Sequence, residues 1–349
     1  MVQAPERPEI DIFRDSLDTI FPELSKKGLT LEGIQVGRFG EVPEYSANYT
    51  SRPRGAITRP EAIATTSQQP TKREVWSESC AMLYEEAVAR QWSSATDIPW
   101  ETVTDLPDDI EMAMCQVCSF LTQIEYIAAE VPGRWVARLS PDYFEVAAFL
   151  QSQAMDESRH MDVFRKRVLV NGGGMQPARA GASGVLAVQD FTEMTTLVHV
   201  LGEGLVQTLF RTGELFAQNE AEKRMFRLAA QDESRHVAFG VTHLKYLMDT
   251  EPERAEQIHG YFDRMEESLA VAAISGSQGE IAVAATTSEP LAVLLGGGIR
   301  NLDEGYAKLR LIRNRQYREY LHRLDVVGLN RRARVNPLFT QVMETADIE

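Results

Sequence analysis

The pentad Asp-Glu-Ser-Arg-His occurs twice in this chain, at residues 156–160 and 232–236. Each copy sets a Glu three residues ahead of a His: Glu157 with His160, and Glu233 with His236. Residues three apart on a helix share a face, so each pair can aim a carboxylate oxygen and an imidazole nitrogen at one point. A Glu-x-x-His from each of two helices, joined by a lone Glu from each of two others, makes a dinuclear carboxylate site inside a four-helix bundle. The repeat therefore asks the chain for two further Glu residues and the helices to carry them.

Spacing supplies both. In an antiparallel helix pair, a site about 14 residues (roughly 20 Å) from the connecting turn separates its two contributors by about thirty residues. Glu125 lies 32 residues before Glu157, and Glu203 lies 30 before Glu233. Both sit in apolar helical patterns with few competing acids. Glu130, 27 residues before Glu157, is the weaker alternative because it adjoins Pro132. As exposed helix turns the two pentads would be salt-bridged surface features. Their neighbours (Phe149, Met155 and Phe164; Leu228, Ala230 and Phe239) place them inside instead.

The rest of the chain reads as helix with irregular ends. Asp11 to Phe21 fits one amphipathic helix, and from Gly37 to Lys72 Pro, Ser, Thr, Gly and Arg replace any periodicity, as in an extended arm. Helical spacing begins near Arg73, and an aromatic-rich loop runs from Gln91-Trp92 to Ile98-Pro99-Trp100. The Asp105–Asp109 stretch, with Pro107, starts a helix carrying Glu125; Pro132-Gly133 is expected to interrupt it, with Trp135 to Leu139 able to continue helically after a kink. Ser140-Pro141-Asp142 starts the next, to about Val170, where glycines end it. A third helix over Asp190–Ala217 carries Glu203, and a fourth over Glu220–Met248 carries Glu233 and His236. A fifth follows Pro252. Residues 274–298 read as a Gly-, Ser- and Thr-rich stretch with an apolar patch at Leu291–Leu295. Asn301–Val327 reads as a helix with a basic, salt-bridged face, and the remainder as irregular tail. No strand–helix alternation occurs. The expected division is an arm over 1–75, a bundle over 76–250 and a helical extension over 251–349.

Composition narrows the partners. A net charge of −15 offers no basic surface to phosphates, which excludes nucleic acid. Cys80, Cys115 and Cys118 are odd in number and suggest no disulfide framework, as in a reducing cytoplasm. Cys115 and Cys118 read as two small buried side chains on one helix face. Neither a signal segment nor a run of about 20 apolar residues is present, so no membrane partner is expected.

The residue types suit the chemistry. Two first-row metals a few Å apart need bridging and terminal oxygen ligands, which Glu supplies. One neutral imidazole per metal completes a mixed shell that suits Fe or Mn and leaves positions open for dioxygen. Asp156 and Asp232 precede the Glu ligands and are expected to accept the imidazole N–H of the His on the opposite helix. Arg159 and Arg235 would neutralise these carboxylates.

The set formed by Glu125, Asp156 to His160, Glu203 and Asp232 to His236 resembles the ferritin-like dinuclear-iron carboxylate superfamily. This includes ribonucleotide reductase small subunits, bacterial multicomponent monooxygenases, acyl-carrier-protein desaturases and p-aminobenzoate N-oxygenase. The resemblance spans roughly residues 76–250, and the aromatic loop at Gln91-Trp92 looks like the lead-in of reductase-like members. Three positions depart from particular members. Phe164 stands where the reductase subunit usually carries its radical Tyr. Gln207, with Thr208 beside it, stands where the hydroxylases tend to place Thr. Ala229 stands where the N-oxygenase has an extra His ligand.

Further candidates surround this core. His199, one turn before Glu203, is either an extra ligand or an ordinary core histidine. Cys118, Gln153, Phe164, Gln207 and Phe210 occupy positions that could face a substrate cavity, although core packing explains the apolar ones equally well. Gly202 and Gly204 flank Glu203 and provide either close helix packing or room for substrate.

The expectation is an all-α, ferritin-like four-helix bundle with an irregular N-terminal arm and extra C-terminal helices. Its resemblance implies a non-haem diiron oxidase or oxygenase holding two Fe ions, or Mn and Fe. It would use dioxygen to hydroxylate, desaturate or N-oxygenate a small organic metabolite. An external electron donor, a ferredoxin or flavin reductase, is implied, as is a homodimer. The alternatives are a radical-generating reductase-like metal subunit and a ferroxidase or iron-handling protein.

Overall fold

The computed structural model describes residues 22, 25–37, 40–48, 52–56, 71–177, 183–274 and 283–344. The helix read over Asp11–Phe21 lies outside them. Among the described residues there is no β-strand, only isolated bridges between Ser25 and Gly28 and between Tyr45 and Thr71.

Two short helices, α1 (Lys72–Val75) and α2 (Cys80–Ala89), lead into the bundle. Helix α3 (Asp108–Val136) begins after Pro107, with Asp108, Asp109 and Glu111 in its first turn, where the helix dipole favours acids. It runs unbroken through Pro132, contrary to the expected interruption. Proline inside a helix costs about 3 kcal/mol; here Val131, Pro132 and Trp135 are all buried, and their packing offsets it. Helix α4 (Phe144–Val170) follows a short turn in which the Ser140 hydroxyl accepts the Asp142 N–H.

After α5 (Ser183–Leu186), the third bundle helix is composite: α6 (Phe191–Thr195), a π-helical segment over Thr196–Gly202, and α7 (Glu203–Arg211). The periodicity predicted one regular helix to Ala217. Regular helix instead stops at Arg211, and Gly213 lies so close to Phe226 that a Cβ there would fall 2.5 Å from it. Helix α8 (Glu220–Thr250) is capped by Asn219, which accepts the Glu222 N–H at 2.9 Å.

Helices α9 (Ala255–Ile274), α10 (Val283–Gly296), α11 (Leu302–Val327) and α12 (Pro337–Glu344) complete the chain. Within residues 274–298, for which the sequence reading gave no helix, α10 forms. Its threonines and Pro290 are poor helix formers, but Leu291–Leu295 is buried, and packing overrides propensity. Gly305 of α11 allows this contact, since a Cβ there would lie 1.9 Å from the Ala292 carbonyl oxygen. The tail read as irregular holds α12, whose first turn is capped by Asn336. On α11, Lys308–Glu304 and Arg315–Glu319 pair as a basic face should. Arg323 departs from that reading: it turns inward onto Gly204, where a Cβ would meet its guanidinium at 2.5 Å. Close packing is thus what Gly204 provides.

Neighbouring bundle helices run antiparallel. Glu111 at the start of α3 bonds Arg167 at the end of α4, which also takes Glu222 at the start of α8. Gln207 of α7 meets Ser234 of α8. The described residues between 40 and 56 form no helix and lie on the bundle: Ser46 and Asn48 bond Asp142, and Arg54 forms a buried pair with Glu145. Two apolar clusters fill the bundle. One joins Cys118, Leu121, Phe164, Phe210 and Phe226; the other joins Trp135, Phe149, Phe191 and Phe239. Between them, at mid-height, is a layer of buried charge.

Candidate metal centre

Four helices build that layer. Helix α3 supplies Glu125, α4 supplies Glu157 and His160, α7 begins with Glu203, and α8 supplies Glu233 and His236; all six are buried. Their ligand atoms form two groups, each lying within 4.8 Å of one another: Glu125, Glu157, His160 and Glu233; and Glu157, Glu203, Glu233 and His236. Glu157 and Glu233 belong to both groups, which is the position of bridging carboxylates. Glu125 and Glu203 belong to one each, which is the position of terminal ones.

Both imidazoles turn Nδ1 inward. His160 Nδ1 lies 3.1 Å from Glu157 and 3.3 Å from Glu233. His236 Nδ1 lies 3.0 Å from Glu157 and 3.4 Å from Glu233. The outward nitrogens face aspartates of the opposite pentad: His160 Nε2 is 3.3 Å from Asp232, and His236 Nε2 is 3.3 Å from Asp156. An acceptor on Nε2 fixes the tautomer and leaves the Nδ1 lone pair for a metal. The aspartates are in turn held by arginines. Arg159 binds Asp156 and Asp232, and Arg235 reaches Asp156 at 2.7 Å and Asp232 at 2.6 Å.

Burial and the neighbouring charges shift these groups in opposite directions. Burial, then the Glu157 charge, pushes the Glu125 carboxyl well above the usual carboxylate range. Burial also raises Glu203, with Glu233 and Glu157 adding to it against His236. Burial alone would raise Glu157 too, but His160 and His236 hold it below its ordinary value. Both imidazoles are raised well above theirs despite burial, first by Glu157 and then by Asp232 for His160 or Asp156 for His236.

The donor set fits two metal cations. Glu125 Oε1, Glu157 Oε1, Glu203 Oε2 and both Glu233 oxygens are buried without a hydrogen-bond partner. Buried acceptors left unpaired each cost about 1–3 kcal/mol. Cations held between these five oxygens, which arrive from four helices, would satisfy them together.

The other candidates fall around this centre. Glu130 pairs with Arg134 at the surface and takes no part. Met155 is also exposed, so it does not help to enclose the pentad. His199 is not in either ligand group; its Nε2 contacts Gln153 Oε1 at 3.0 Å, and Gln153 Nε2 donates to Glu203 Oε1 at 2.8 Å. Phe164 and Cys118 are buried in the apolar cluster on one side of the ligand groups, and burial raises the thiols of Cys118 and Cys115, the latter to about 12. Phe210 presents its ring edge to His160, with centroids 6.3 Å apart. Its other side lines a surface depression of about 230 Å³ between α7 and α8, with Arg211, Glu214, Arg227, Ala230, Gln231 and Ser234. Gln207 borders it through its bond to Ser234. Sequence reasoning assigned no role to Trp92, whose indole N–H donates to Asp232 Oδ2 at 2.7 Å, or to Gln91, which accepts from Arg159. Only their place in an aromatic loop marked them, because a contact spanning 140 residues leaves no periodic signal.

No family model and no curated protein matches this sequence. Solved structures of R2-like ligand-binding oxidases do match in shape. One with an aerobically reconstituted Mn/Fe cofactor is 17% identical, with a TM-score of 0.53 over 72% of this chain and 93% of that one. A mutant in the same cofactor state is 16% identical, with a TM-score of 0.55 over 77% and 99%. Another mutant, with an Fe/Fe cofactor, is 17% identical, with a TM-score of 0.53 over 72% and 94%. Likeness at this identity establishes the fold, the all-α ferritin-like bundle expected from the repeated pentads.

Proposed function

We propose that this chain is a dinuclear-metal oxidase or oxygenase that uses dioxygen to oxidise a small organic molecule. The observation that carries the reading is the convergence of partnerless buried carboxylate oxygens of Glu125, Glu157, Glu203 and Glu233 on one point, with His160 and His236 completing the set. These six residues would hold two Fe ions, or Mn and Fe, as the oxidases of the same fold do according to their descriptions. Bound there, the metals supply the reduction of dioxygen coupled to oxidation of a nearby C–H or N–H group, by hydroxylation, desaturation or N-oxygenation.

The chain's own side chains set the conditions for that chemistry. Asp156 and Asp232 hold both imidazoles with Nδ1 inward. Phe164, Phe210 and Phe226 form an aromatic wall beside His160 that excludes water. Phe164 carries no phenol to oxidise, which favours substrate oxidation over storage of a tyrosyl radical. The depression between α7 and α8 is the approach for substrate, closed on its inner side by Phe210. Inserting one oxygen atom and releasing the other as water consumes two electrons, which a ferredoxin or flavin reductase would supply. A cytoplasmic homodimer fits this reading. No helix among the described residues is long and apolar enough to cross a membrane.

Metal analysis tests the proposal. The chain should bind two metal ions, and Glu157→Ala with Glu233→Ala should abolish binding. Full metal content in that double variant would refute the assignment. A native mass of a many-subunit cage would favour iron handling instead.

A further inference from the structure

The two metal positions are built from one repeated pattern, yet the chain treats them differently. Gln153 stands four residues before Glu157, and its counterpart four before Glu233 is Ala229. His199 stands four before Glu203, and its counterpart four before Glu125 is Leu121. One half therefore has a polar relay, from His199 through Gln153 to Glu203. The corresponding positions of the other half are apolar.

The direction of this relay is fixed by chemistry. A ligating carboxylate only accepts, so the Gln153 amide nitrogen must face Glu203 and its oxygen must face His199. His199 must then donate from Nε2, which leaves Nδ1 bare, and Nδ1 is a buried atom without a partner. Burial, then the His236 charge, keeps this imidazole far below its ordinary pKa and therefore neutral, as the relay requires. The backbone accommodates it specifically. His199 lies within the π-helical segment Thr196–Gly202, which presses against α8 at Gly240, where a Cβ would meet the His199 Cβ at 2.6 Å. The outcome at the ligands is unequal. Glu203 has Oε1 pinned and Oε2 unpartnered, whereas Glu125 has Oε1 unpartnered and no amide among the described residues bonds it.

We infer that Gln153 and His199 are positioning residues that lock Glu203 in one ligand geometry and make the two metal positions inequivalent. Glu125 is then the carboxylate free to change its binding mode. This rests on the dinuclear reading above.

The test is titration of the metal-free full-length protein with Fe(II), followed by Mössbauer spectroscopy of the 57Fe(II) form. The wild type should bind two equivalents and give two distinct doublets. Gln153→Met keeps the volume and removes the amide. It should weaken one equivalent by about 10–100-fold and shift one doublet only. His199→Phe should alter the same doublet, His199→Gln should restore it, and the double variant should be no worse than Gln153→Met alone. Equal weakening of both equivalents, doublets indifferent to Gln153, or additive losses in the double variant would overturn the inference while leaving the metal centre intact. A wild-type chain that binds no iron would overturn the metal reading itself.

Discussion

The carboxylate of Asp156 lies 3.3 Å from the Nε2 of His236, eighty residues further along the chain. Asp232 repeats the relation with His160 in the opposite direction. Each pentad thus orients the imidazole of the other, and neither half of the centre is complete alone.

Replacing either aspartate by Asn should therefore act on the partner helix. Asp156→Asn removes the charge behind His236 and Asp232→Asn the charge behind His160. Each should lower metal affinity about 10–100-fold without unfolding the chain. Metal titration monitored alongside circular dichroism distinguishes the two effects; unchanged affinity would refute the role. Asp232→Asn should also perturb Trp92 fluorescence, because the indole shares that acceptor.

Arg235 reaches both aspartates and is itself 2% exposed. Arg235→Met fills much of the volume but leaves two buried carboxylates short of a counter-charge. Breaking a buried pair in this way costs about 3–5 kcal/mol. Denaturant unfolding of the metal-free protein should show that loss, and a change under about 1 kcal/mol would mean that Arg159 alone suffices.

Arg54 and Glu145 tie the N-terminal arm to the start of α4, and Gln35 joins them on the same carboxylate. Arg54→Ala should release the arm while the bundle stays folded. Limited proteolysis should then cut near residues 40–56 at least tenfold faster, in keeping with about 1.4 kcal/mol or more of lost attachment.

His243 gives a pH dependence separate from the metals. Its Nδ1–H donates to the Trp76 carbonyl, and burial pushes its pKa from 6.5 down to about 4. Between those values the unfolded chain takes up a proton that the native chain refuses. Stability should thus rise with pH across this window and be lost on acidification, by roughly 3 kcal/mol in all. His243→Asn, whose amide can still reach the carbonyl, should flatten that part of the urea-measured profile. An unchanged slope would reject the assignment.

Metal removal should be visible as stability. A cation bound at about 1,000 times its dissociation constant adds roughly 4 kcal/mol per site. The melting temperature should fall by several degrees on chelation and recover with Fe(II) or Mn(II). Chelation should have far less effect on the Glu157→Ala, Glu233→Ala protein.

The sequence revealed what repeats and what has a period. Two identical pentads and two intervals near thirty residues marked Glu125 and Glu203, because helical rise ties spacing to height. The same periodicity located α3, α4 and α8. It failed where packing overrides local preference. Pro132 sits inside a helix because its neighbours are buried, and α10 forms from a Thr-rich stretch because Leu291–Leu295 is covered. Trp92 acts through a contact between distant segments that no pattern within its own segment announces, whereas helical spacing marked Gln153 and His199 as candidates but not their contact with each other.

The π-helical segment at Thr196–Gly202 also bears on how this chain tolerates change in length. Successive residues of an α-helix are turned by about 100°, and a π-turn absorbs one residue beyond the regular count. The third bundle helix therefore carries one extra residue in its backbone without passing the offset on to α7. Deleting Leu197 or Val198 would let the helix close regularly while Glu203 kept nearly its present direction toward Glu157 and Glu233. A one-residue deletion inside α8 ahead of Glu233, where every turn is regular, would instead swing Glu233 about 100° around the axis relative to the residues before it. The bundle thus has one place in its third helix where length can change without disassembling the centre.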